Sequence, residues 1–88
     1  MKSSELKIQE KLSLAIENHK NQKIQLAEKL YKEILALNKD HVEANYQLGT
    51  LYSQLQNFNL AKPLLAKAHK LSPNNPNINL HIGNLLLS

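Results

Sequence analysis

The chain has 88 residues, 42% of them hydrophobic, with eleven lysines, no arginine, seven acids and a formal net charge of +4. That length supports one small core and not two, and the absence of cysteine excludes disulfides, thiolate metal sites and a cysteine nucleophile. No apolar run approaches a membrane span, and the start "MKSSELKIQEKL" has no secretory core. The chain therefore reads as soluble and cytoplasmic, with no membrane partner. Its basic charge is all lysine, and without arginine forks to read phosphate or guanine, nucleic acid is disfavoured as a partner.

Apolar residues recur at helical spacing along almost the whole chain, and no segment alternates with period two. The pattern predicts five helices, so the expected fold class is all-α. The first covers about Ser4 to Lys20 and the second about Ile24 to Leu37. The third, about Val42 to Gln54, is expected to start from a capping box of Asp40 and Glu43. The fourth covers about Asn59 to Leu71 with Pro63 near its start, where a proline removes a backbone donor. The fifth covers about Asn77 to Leu87, with Asn75 as cap and Pro76 at its first turn. Links this short place each helix antiparallel to the next.

The chain also repeats itself. At a shift of 34 residues Leu14-Ala15 meets Leu48-Gly49 and then Ile82-Gly83. Ala27 meets Ala61, Tyr31 meets Leu65, Ile34 meets Ala68 and Leu37 meets Leu71. Large apolar residues fall on large ones and small on small, the mark of a stacked helical hairpin. A glycine inside a helix costs roughly 0.5–1 kcal/mol relative to alanine, so Gly49 and Gly83 need a reason. The expected one is a close helix crossing opposite Ala27 or Ala61, with Ala15 serving the first repeat.

These residues resemble the tetratricopeptide repeat family. Leu48, Gly49, Tyr52, Phe58, Ala61, Leu65, Ala68 and Pro73 follow its pattern in a repeat at residues 42–75. Leu14, Ala15, Ala27, Tyr31 and Ile34 follow it more loosely at 8–41, and Ile82 and Gly83 mark a half repeat at 76–88. Departures are Asn45 at a usual Trp, Asn18 at a usual Tyr, and Gln22 and Gln56 where the turn usually has Gly. The resemblance implies a single domain over residues 1–88, stacked as a right-handed superhelical array of antiparallel hairpins. It also implies a protein-interaction module, not an enzyme by itself, whose concave groove takes a peptide or protein segment. More loosely, the chain resembles repeats that precede bacterial glycosyltransferases and sulfotransferases, which gives the alternative of a substrate-recruiting part of a larger transferase.

By the same resemblance, the inner face of the groove carries Leu12, Ile16, Tyr46, Gln47, Thr50, Leu80, His81 and Asn84, with His19, Lys20 and Gln54 beside them. Leu12, Tyr46 and Leu80 form an expected apolar row, and Ser13, Gln47 and His81 a neutral hydrogen-bonding row. Residues that clamp a carboxylate in chaperone-binding relatives are absent, since Leu12, Ile16, Gln47, Asn77 and His81 stand in their places. The four histidines, His19, His41, His69 and His81, sit at four different repeat positions without a helical metal spacing, so neither a metal nor a cofactor is expected. The last helix presents Ile78, Ile82, Leu85 and Leu86 with no following helix to cover them. Such a patch marks an interface or a cut, and self-association as a homodimer through that helix is the expected use.

Overall fold

A computed structural model describes residues 2–76 and 78, and the regular structure among them is all helical. α1 spans Lys2–Lys20, α2 Ile24–Leu37, α3 Val42–Gln54 and α4 Phe58–Leu71. α2 and α3 have the expected bounds, while α1 and α4 begin slightly earlier than their periodicity suggested. The fifth helix lies outside the described residues but for its first turn. There Asn75 Oδ1 accepts the Ile78 N–H at 3.4 Å, as its expected capping role requires.

Each hairpin closes by the same device. After α1, Gln22 sits in the left-handed region at φ 65°; after α3, Gln56 does so at φ 61°. The Lys23 N–H then reaches the Asn18 carbonyl at 2.8 Å and the Gln22 N–H the His19 carbonyl at 3.2 Å. The second turn repeats this, Asn57 to Tyr52 at 2.8 Å and Gln56 to Ser53 at 3.0 Å. Paired bonds of this kind satisfy the last helical carbonyls and reverse the chain. Both positions are those where the family pattern has glycine, and the left-handed φ is the reason.

The turn between hairpins departs from expectation. Asp40 is not the cap of α3: His41 is, with extended backbone and Nδ1 accepting the Ala44 N–H at 3.1 Å. Asp40 belongs to the preceding turn, where its own N–H donates to Asn38 Oδ1 at 3.1 Å. Asn45, at the usual Trp position, is buried, and its Nδ2 donates to the carbonyls of His41 at 2.8 Å and Lys39 at 3.1 Å. A polar amide thus ties down the link between α2 and α3.

α1 packs on α2, α2 on α3 and α3 on α4, whereas α1 meets α3 lightly. The main core joins Ala15, Ala27, Tyr31, Leu48, Leu51, Tyr52, Ala61 and Leu65, all buried. A second cluster, Ile8, Ile34 and Ala44, lies beside it. Gly49 is buried in α3, but what it faces is not chiefly Ala61. A Cβ there would come within 2.7 Å of Leu65 Cγ and 3.3 Å of Leu64 Cβ. The first hairpin carries Ala15 with Tyr31, and the second Gly49 with Leu65; a branched side chain in place of a flat ring takes the room of the methyl group. Pro63 falls inside α4, beyond its first turn, so it cannot donate to the Asn59 carbonyl.

Candidate functional site

α1 and α3 together form one face of the molecule, and between them lies a recess of about 280 Å³. Ile16, His19 and Lys20 reach it from α1, Gln47, Thr50 and Gln54 from α3, and Gln22 from the turn. Three residues expected at the groove, Ile16, Gln47 and Thr50, are therefore brought together, with the flanking His19, Lys20 and Gln54. Gln22 is the addition; the sequence marked it only as a departure from glycine. Leu12 and Tyr46, the expected apolar row, are half-buried and pack against the core, so the recess itself is mostly amide and hydroxyl. Leu80, His81, Asn84, Ile82, Leu85 and Leu86 lie outside the described residues. Ile78, expected on an open apolar face, is buried at 1% exposure.

Hydrogen bonds fix which atoms of the recess remain available. His19 Nε2 lies 2.7 Å from Gln54 Oε1, and its Nδ1 lies 3.1 Å from the Tyr31 hydroxyl. An amide oxygen only accepts, so Nε2 carries the hydrogen and Nδ1 accepts from Tyr31. The two rings meet edge to face with centroids 5.9 Å apart, which ties α1, α2 and α3 at one end of the recess. The Gln54 amide donor has no partner among the described residues. Gln47 Nε2 is used on Glu43 Oε1 at 2.9 Å, leaving its carbonyl oxygen to accept. Thr50 Oγ1 donates to the Tyr46 carbonyl at 2.9 Å and is also hydrogen-bonded with the Tyr46 hydroxyl. Lys20 supplies the one formal positive charge among the lining residues.

The phenols beneath this face are held neutral. Burial, reinforced by the Glu43 charge, pushes the Tyr31 hydroxyl up to about 12. Burial also raises Tyr46, against an opposing hydrogen bond with Thr50. Apart from Lys20, the recess presents neutral donors and acceptors at fixed places.

The histidines are separate: His19 bridges Tyr31 and Gln54, His41 caps α3, and the buried His69 Nδ1 has no hydrogen-bond partner among the described residues. Among the described residues no three His, Cys, Asp or Glu side chains converge, and no helix is long and apolar enough to cross a membrane.

A family model for the Tetratricopeptide repeat matches residues 42–75. Those are the bounds that the 34-residue shift gives the second repeat, α3 with α4. No curated protein matches the chain.

Proposed function

We propose that this chain, a tetratricopeptide-repeat protein by its repeat at residues 42–75, binds an extended peptide or protein segment along the face made by α1 and α3. Repeats of this family suggest a protein-interaction module; the segment and its mode are our reading. The observation that carries it is the pair of polar groups in the recess with no partner among the described residues: the Gln47 oxygen accepts and the Gln54 amide donates. An extended peptide offers alternating N–H and C=O groups that such a set can match. Ile16 gives the apolar contact beside them.

The test is selection of peptides from a random library on the immobilised chain, followed by titration of the selected sequences. A Gln47→Ala, Gln54→Ala variant should bind them about tenfold more weakly, about 0.7 kcal/mol for each lost hydrogen bond. With one lysine in the recess, affinity should change little between low and moderate salt. Selected peptides that bind the variant as tightly as the parent chain would overturn this reading.

A further inference from the structure

The opposite face carries a groove that peptide binding between α1 and α3 leaves unused. α2 and α4 stand apart there, and the buried Leu48 and Tyr52 of α3 form the floor between them. The space measures about 470 Å³. Leu60, Pro63 and Leu64 wall it on the α4 side, and Leu60 is 48% exposed. Lys32, Lys39 and Lys67 rim it, and no carboxylate is among its lining residues.

The charge around this groove is in excess on one side. Lys32 lies 3.5 Å from Glu28, a half-buried carboxylate that also accepts from the Tyr52 hydroxyl, and Lys67 lies 3.2 Å from Asp40; pairs this near the surface are weak. Lys39 makes no ion pair among the described residues. α4 contains no acid. All seven acids of the chain lie at or before Glu43, so nothing on α4 offsets its lysines. An apolar trough rimmed by one unpaired ammonium group, Lys39, and two held only in weak pairs favours a ligand that is apolar on one side and anionic on the other.

We propose that the groove between α2 and α4 docks an acidic amphipathic helix of a partner protein. Its apolar side chains enter between Leu60, Leu64 and the α3 floor, and its carboxylates meet Lys32, Lys39 and Lys67. Helix-in-groove binding needs this combination of apolar trough and charged rim. Single-stranded nucleic acid fits less well, since it asks for aromatic or guanidinium faces on which bases stack. The groove's one aromatic lining residue, Tyr52, is buried in its floor, its α4 wall is aliphatic, and the chain has no arginine.

Fluorescence anisotropy on the full 88-residue chain tests this with a synthetic helical peptide bearing leucines on one face and glutamates on the other. A shuffled peptide of the same composition, a lysine-for-glutamate version and a single-stranded oligonucleotide are the comparisons. Saturable binding of the first peptide is expected. It should weaken about tenfold in Leu60→Ser, the loss expected for one apolar contact, and to a similar degree in Lys39→Glu. Gln47→Ala, on the opposite face, should leave it unchanged. Both groove substitutions replace exposed side chains, and circular dichroism checks that the helices persist. The proposal is overturned if the peptide does not bind, if the shuffled or lysine peptide binds equally, or if the oligonucleotide binds more tightly. Loss of binding in Gln47→Ala with none in Leu60→Ser or Lys39→Glu also overturns it.

Discussion

At Gly49 a single added methyl group meets Leu65 Cγ at 2.7 Å and Cδ2 at 2.9 Å, and Leu65 is itself buried. Overpacking of this kind costs roughly 1–3 kcal/mol, while alanine regains up to about 1 kcal/mol of helix propensity. Gly49→Ala should therefore lose about 1 kcal/mol in urea denaturation, and Gly49→Leu considerably more. An unchanged midpoint for Gly49→Ala would mean that Leu65 moves aside freely. The left-handed glutamines lead the other way. A non-glycine residue there costs of order 1–3 kcal/mol, more than the chain entropy that glycine gives up. Gln22→Gly and Gln56→Gly should each raise stability by about 0.5–1 kcal/mol in the same measurement. Because Gln22 also borders the recess, Gln56→Gly is the cleaner comparison. Tyr31 adds a pH dependence. Its hydroxyl is pushed up to about 12 from an ordinary value of 10.0, so the folded chain holds that proton after the unfolded chain has released it. The associated stability is fully present below pH 10.0 and is lost as pH rises towards about 12. Tyr31→Phe has no such proton, so the difference between the two chains across that window isolates the effect from lysine titration.

At the scale of elements, one buried side chain of α3 clamps the link from α2 to α3. Asn45 donates to two carbonyls of that link, and the Lys39 carbonyl has no other hydrogen-bond partner among the described residues. Asn45→Ala should cost about 1–3 kcal/mol, as for a buried hydrogen-bonded group removed from its partner. Thermal unfolding measures it, and an unaltered melting temperature would show that water replaces the amide at no cost. Neither this clamp nor the His41 cap was legible in the sequence. Asp40 and Glu43 match the capping pattern, and only the backbone, extended at His41, decides which residue starts the helix. Helix positions were legible because apolar periodicity is a local signal: Ala27, Tyr31 and Ile34 on α2, and Ala61, Leu65 and Ala68 on α4, are all buried. The candidate site was legible only in part. Repeat register placed Ile16, Gln47 and Thr50 on one face, but it cannot say how far Leu12 and Tyr46 sink into the core. Whether Leu14 is covered is likewise a matter of neighbours. It is 50% exposed, whereas Leu48 one repeat later is 3% exposed, because α2 packs on α3. The groove between α2 and α4 has no sequence signature at all, since it is made by two helices of different hairpins with α3 beneath them.

For the molecule as a whole, the two hairpins communicate mainly through α2 and α3. Ile34 is central to that contact: it is fully buried with Ile8 of α1 and Ala44 of α3. Side-chain bonds also cross between hairpins, from the Tyr52 hydroxyl to Glu28 at 2.5 Å, between His19 and Gln54, and from Lys67 to Asp40. In stacked hairpins stability is approximately each unit's own term plus the interface between neighbours. Truncating a buried isoleucine to alanine costs about 2–5 kcal/mol, a large share of the roughly 4–13 kcal/mol that a chain of this size has. Ile34→Ala removes contacts within the first hairpin and across the interface, but none within the second. Hydrogen exchange resolved by helix should then show α1 and α2 losing protection more than α4, as the second hairpin keeps its own core of Gly49, Ala61 and Leu65. Equal loss in all four helices would show instead that the hairpins unfold as one unit. In that case a ligand seated on either face would stabilise the whole chain, and binding at the α1–α3 recess and at the α2–α4 groove would be coupled through folding itself.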